Sequence, residues 1–328
     1  MKSNSVSGLT TKWSDRLLVA GLTALAVLAA LPAKAQVTYT SDTTCYVKVT
    51  YSGSSAAVVV SSDIKNYITA TVSGGDVSVT STATSAVNEI SYGLYGSTTD
   101  GSFTFTGTYK ATVELFGVSI TNPTGPAIDI QNGKRIEISA KNGTTSTLTD
   151  GTSTATDAWK GALYCKGHIQ FKGKGTINIY GNYAHAIKAG EYIEMKNCTI
   201  NVYSAVKDAI NCNQYFAMES GVINISGFGD DGIQVDLKTD DTSVENTGNF
   251  TMTGGTININ TSGAEGEAVK AAGTQSVAAA ASLNLVTDVK LVESQKSKVE
   301  SSKILRDGVL LIERNGKTYS ITGKEIQL

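Results

Sequence analysis

From Val113 to Ala271 apolar and polar residues alternate in short segments, and the segments recur as blocks. Ala162-Leu-Tyr-Cys, Ala186-Ile-Lys-Ala, Ala209-Ile-Asn-Cys, Gly232-Ile-Gln-Val and Ala268-Val-Lys-Ala open successive blocks, at steps of 24, 23, 23 and 36 residues. A second segment follows in each, as in Tyr192-Ile-Glu-Met-Lys196, and a third, as in Thr199-Ile-Asn-Val-Tyr203. Strict alternation predicts strands and excludes a helical repeat. A period of this length predicts stacked units that bury a shared core no single unit could form. The expected fold is therefore all-β, a parallel β-helix solenoid with three short strands per rung of about 23 residues. Its inward columns would be Ile169, Ile193, Phe216, Phe250 in the second segment and Ile177, Ile200, Ile223, Ile257 in the third.

The pattern also predicts the organisation of the chain. Residues 111–273 carry the repeat, with insertions at about 144–159 and 238–248 that map to loops. Residues 36–110 alternate without a clean period and are expected to supply irregular first rungs and a cap over the open core. After Gly273 the pattern breaks, so 274–302 reads as a linker. Residues 303–328 read as a small β-unit, with Asn315-Gly316 between two alternating strands as a hairpin signal. Residues 1–35 read as a cleavable signal peptide, with an apolar run from Leu17 to Leu31 and Ala33-Lys34-Ala35 before Gln36. That run is too short for an ordinary membrane span. The expected location is therefore secreted or on the outer cell surface.

Composition narrows the partners. A net charge of −2 with 17% charged residues provides no basic field for nucleic acid. Four cysteines in an exported chain suggest disulfides. However, Cys165 and Cys212 share a column two rungs apart, roughly 9.6 Å, beyond the ~7 Å limit between bridged α-carbons. Cys198 falls in a turn column otherwise filled by Gly175, Gly221 and Gly255, so mostly free thiols are expected.

Three columns carry candidate chemistry. Just before the block openings stand His185, Asp208, Asp231 and Glu267, with Asp230 alongside. Carboxylates one strand apart repel unless one is protonated or a cation bridges them, and calcium accepts such oxygens. Asp208, Asp230, Asp231 and Glu267 are therefore candidate calcium ligands, set against a merely solvated acidic turn. On the outward face, His168, Tyr192 and Tyr215 form one aromatic column, and Tyr180 and Tyr203 another. Beside the second runs the amide column Asn178, Asn201, Asn224 and Asn258. Flat rings could pack against sugars and amides could read hydroxyls, whereas ring stacking and an amide ladder could equally serve only the sheet. Lys188 and Lys270 are the lysines placed to act as a base near the acids. The two histidines occupy different columns and form no metal set.

Gly117-Val-Ser-Ile-Thr-Asn-Pro-Thr-Gly-Pro-Ala-Ile-Asp-Ile, Thr147-Leu-Thr-Asp-Gly151, Ala162-Leu-Tyr-Cys-Lys-Gly-His and Gly229-Asp-Asp-Gly-Ile-Gln234 resemble a bacterial carbohydrate-binding β-helix family. That family is described by its cellulose- and polygalacturonate-binding, calcium-containing members. The resemblance spans about 37–273 and implies a right-handed coil akin to pectate lyases. The final 25 or so residues resemble the sorting signals of the type IX secretion pathway. Gln234 stands where calcium-bearing pectate lyases carry a final Asp, which favours a binder over an enzyme. The resemblance implies a secreted or surface-displayed, non-catalytic, calcium-stabilised protein that recognises cellulosic or acidic pectic polysaccharide as a monomer. A calcium-dependent polysaccharide lyase using Lys270 or Lys188 is the enzymatic alternative, and a structural matrix spacer is the third. A glycosidase ranks last, because Asp208 and Glu267, two rungs apart at ~9.6 Å, barely meet the spacing of paired carboxylates.

Overall fold

The computed structural model describes residues 36–152, 160–261 and 265–286, and the strands Ser301–Arg306, Val309–Arg314, Lys317–Ser320 and Glu325–Ile326. All described residues fall in the unit Pro32–Leu328. The expected leader at 1–35, the Asn315-Gly316 turn and the linker residues 287–300 lie outside them. Among the described residues every regular element is a strand.

The strands join in three sheets of 16, 9 and 4 strands. The smaller of the two main sheets stacks the first segments of the repeat in parallel, Ile128–Gln131, Gly161–Cys165, His185–Ala189, Ile210–Asn213, Ile233–Asp236 and Val269–Ala271. In the larger sheet the second and third segments are not independent. Ile193–Ala205 is one continuous strand that pairs with both Ile169–Gly173 and Thr176–Gly181. At the other end Ile90–Thr98 pairs with both Ala111–Leu115 and Ser119–Thr121. With Ile136–Ala140 and Thr145–Thr149 between them, these eight strands close into a ring of parallel ladders.

This closure corrects the expected fold. The right-handed parallel β-helix solenoid of three separate short strands per rung is overturned: the larger sheet is a closed eight-stranded parallel barrel without helices. The physical reason lies at the turns. Asn197 adopts φ 68° inside Ile193–Ala205, so the chain bends through a left-handed residue and stays in strand where a break was expected. Cys198, expected as a small turn residue, instead points inward, is buried, and packs its Sγ 3.8 Å from Met195 Sδ. At the next repeat the bend falls on Gly221, φ 98°, where an added Cβ would sit 2.5 Å from the Cys198 carbonyl oxygen.

The inward residues of the segments up to Ile259 are buried in one core cluster, including Ile169, Ile193, Phe216 and Phe250, with Phe216 and Phe250 stacked at 5.2 Å. Each such side chain contributes roughly 1.5–3 kcal/mol of apolar burial. Upstream, two antiparallel hairpins, Tyr46–Ser52 with Ser55–Val60 and Ile68–Ser73 with Gly75–Ser81, begin the sheets. Downstream, Gln275–Val277 and Ala281–Val286 pair in parallel with Asn249–Met252 and Gly255–Asn260, so the repeat runs on past Gly273. Four strands from Ser301 to Ile326 form the antiparallel third sheet. All four cysteines are free. Burial pushes the Cys165, Cys198 and Cys212 thiols up to about 12.

Candidate functional site

Parallel pairing in register sets like residues of successive repeats side by side, and this builds three outward faces of different chemistry. On the face of the smaller sheet, and along its leading edge, the acids converge. Asp208 and Asp231 are each 1% exposed, Asp230 is exposed, and one carboxylate oxygen from each lies within 4.8 Å of the others. Glu267 is not in this group: its backbone N–H donates to Asp231 Oδ1 at 2.8 Å while its side chain is exposed.

The two buried carboxylates already have partners. Asn211 Nδ2 donates to Asp208 Oδ2 at 2.6 Å, the Asp231 N–H donates to Asp208 Oδ1 at 3.1 Å, and His185 Nδ1 lies 3.3 Å from Oδ2. Burial by itself would push the Asp208 carboxyl up, but these hydrogen bonds and the His185 charge together hold it below its ordinary value. Lys270 Nζ donates to Asp231 Oδ2 at 3.0 Å, and this bond raises the Lys270 amine. Three carboxylates against Lys270 and His185 still leave an excess of negative charge on a set of oxygen donors. That donor chemistry fits a hard divalent cation such as calcium, which would compete with Lys270 for Asp231. Lys188 sits one column over, half-buried, donating to Asn211 Oδ1 and, at 3.0 Å, to Asn213 Oδ1. Burial pushes its amine down, and the nearby negative groups only partly offset this.

The second face carries the first aromatic column among charges. His168 and Tyr192 stack at 4.1 Å with 13° between planes, and Tyr192 and Tyr215 at 4.5 Å with 9°. Stacking this close covers both faces of Tyr192, while the far side of Tyr215 meets Asn249 of the next repeat. Carboxylates flank it: Glu191 pairs with His168 Nδ1 at 2.7 Å and Lys238 at 3.2 Å, and Glu194 accepts from Gln170 and from Tyr215 Oη. Burial and the Glu194 charge push both tyrosine hydroxyls up. A further pair in the larger sheet, Tyr95 on Phe116 at 4.3 Å, has a lysine ammonium over each ring, Lys48 and Lys141.

The third face differs. Tyr180 and Tyr203 stack at 4.9 Å, but this column has only two rings. Tyr203 stands at a register shift, is 42% exposed, and is followed in the next repeat by Ser226 and Gly227. Among the described residues no ring stacks on its far face. Beside it Asn201 Nδ2 donates to Asn178 Oδ1, Asn224 to Asn201 and Asn258 to Asn224, at 2.7–2.9 Å. Asn284 extends the ladder by donating to Asn258 at 2.8 Å. Asn284 was missed because 274–302 read as linker, although Leu283-Asn-Leu285 repeats the alternation of Ile257-Asn-Ile259. Each amide spends one donor and one acceptor lone pair on the ladder and keeps another of each.

The outer faces of this all-β repeat thus display stacked aromatics and an amide ladder. The chain belongs to the carbohydrate-binding domain-containing protein family, whose model matches residues 73–325. Its fold is similar to that of the polysaccharide lyase-like protein from C. thermocellum, solved as a gadolinium derivative. The TM-score is 0.61 at 21% identity, with 73% of this chain and 99% of that one covered. No match was found among curated protein sequences. Among the described residues no helix is long and apolar enough to cross a membrane.

Proposed function

We propose that this chain is an exported, non-catalytic protein that binds cellulosic or pectic polysaccharide on its third face, with a calcium ion held by Asp208, Asp230 and Asp231. The carrying observation is Tyr203, 42% exposed beside the asparagine ladder and, among the described residues, stacked on one side only, by Tyr180. A tyrosine so placed offers an apolar body to a sugar ring and a polar tip to its hydroxyls. The family and the polysaccharide lyase-like relative both point to polysaccharide as the ligand class. Calcium would neutralise the aspartates that Lys270 alone leaves unbalanced. The test is retention of the Tyr203→Ala variant on insoluble cellulose and on pectate. Loss of retention with unchanged thermal stability is expected, and undiminished retention on both would reject this face as the site.

A lyase is the second reading, favoured by Lys188. Its amine is depressed by burial and stands next to the acids, as a base for the proton alpha to a uronate carboxylate requires. Against it, both of that amine's described partners are amide oxygens that hold it in place. Incubation with polygalacturonate while following the absorbance of unsaturated product separates the two readings.

A further inference from the structure

Among the described residues the outward columns that flank the asparagine ladder contain no charge. One flanking column runs Thr145, Thr176, Thr199, Val222, Thr256 and Ser282, each opposite the next in parallel register. The ladder column itself begins upstream with Thr147 before Asn178. Tyr180 and Tyr203 close the other side. All these residues are half-buried or exposed. The neighbouring face of the same sheet is the opposite: Glu114, Glu137, Lys172 and Lys196 stand there in ion pairs. Apolar residues alternate with polar ones in both, so the inward side does not account for the difference.

Resting on the polysaccharide-binding reading, we infer that this face is a track for an uncharged, extended, β-linked glycan lying along the stacking direction, one sugar per repeat. Two features carry it. Among the described residues the threonine, asparagine and tyrosine columns hold no ammonium or guanidinium to meet a uronate carboxylate, so a charged sugar lying over them would lose hydration without a partner. The amides recur at the strand spacing, about 4.8 Å, close to the advance of an extended β-linked hexose, so each sugar meets one amide while alternate sugars turn opposite edges to the ladder. Tyr203 then stacks on one sugar at a fixed register.

Titration calorimetry of the full chain would measure binding of cello-oligosaccharides of two to six units, oligogalacturonates of equal length, and maltohexaose. Affinity for the cello-series is expected to climb by about tenfold from dimer to pentamer and then level off, with oligogalacturonates about tenfold weaker at equal length. Maltohexaose, which curls, should gain nothing over its dimer. Thr147→Lys should narrow the handicap of the oligogalacturonates and Asn224→Asp should widen it. Both substitutions are on the surface, and circular dichroism checks folding. Equal affinity for dimer and pentamer, or oligogalacturonate binding as tight as cello-oligosaccharide binding and unmoved by either variant, would sink the track while leaving Tyr203-dependent binding intact. Failure of every glycan to bind removes the binding reading and the track together.

Discussion

Replacing Asp208 by alanine tests how the acidic column is held. The residue is buried, and its carboxylate accepts from Asn211 Nδ2 and from the Asp231 N–H while standing 3.3 Å from His185. Alanine leaves the Asp231 N–H without its acceptor and one Asn211 amide hydrogen unpaired, since Asn211 Nδ2 keeps only Gln234 Oε1 at 3.3 Å. Each buried donor so orphaned costs about 1–3 kcal/mol. Relief of repulsion with Asp230 and Asp231 returns part of this, so a net loss of roughly 3 kcal/mol is expected. For a unit of this size each kcal/mol lowers the melting temperature by about 2–4 °C, giving a drop of roughly 6–12 °C. The assay is calorimetric melting of both proteins at neutral pH with chelator present, repeated down to acid pH. The folded-state carboxyl titrates below its ordinary value, so its stabilisation is present above the unfolded pKa, about 3.9, and fades as pH falls through the folded one. The stability gap between wild type and variant should therefore shrink in acid. A loss under about 1 kcal/mol at neutral pH, or a gap that does not shrink, would refute this reading of the site.

Three further outcomes are expected. Tyr192→Ala with Tyr215→Ala breaks a stack in the larger sheet and should cost about 1–3 kcal/mol in urea unfolding while leaving cellulose retention intact, since Tyr192 is covered on both faces and Tyr215 is tied to Glu194. Terbium luminescence sensitised by nearby tyrosine should saturate on wild type and be displaced by calcium; Asp230→Asn, an exposed change, should weaken it several-fold without moving the chelated melting temperature. Alkylation at pH 8 should modify at most Cys45 in the native protein and all four cysteines after unfolding, because burial shields Cys165, Cys198 and Cys212.

The strands and their two sides were legible because alternation is local. Ile200, Val202, Ile223 and Ile225 are buried as their spacing predicts, and Asn201 faces Asn224 because the blocks repeat at 23 residues. The meeting of Asp208, Asp230 and Asp231 was legible for the same reason, and the exclusion of Glu267 was not, since an insertion lengthens that block to 36 residues. Lys270 could be placed in a column but not in its bond to Asp231, which depends on how a flexible side chain reaches across repeats. The setting of Tyr203 was hidden in part: the shorter ring column and the Ser226-Gly227 neighbours stand in the sequence, but the register shift that sets Tyr203 out of line exists only once the strands have paired.

The sequence alone therefore determined which residues lie inside, which lie outside, and which stack, because a period of two and a repeat of about 23 residues are properties of the chain itself. The tertiary structure decided that the larger sheet closes on itself and which aromatic faces remain open. Closure depends on two long strands, Ile90–Thr98 and Ile193–Ala205, each pairing with two others, and on a bend through Asn197 that no alternation pattern records. Ring exposure depends on distances of 4–5 Å between neighbouring repeats, which exist only once the strands have paired.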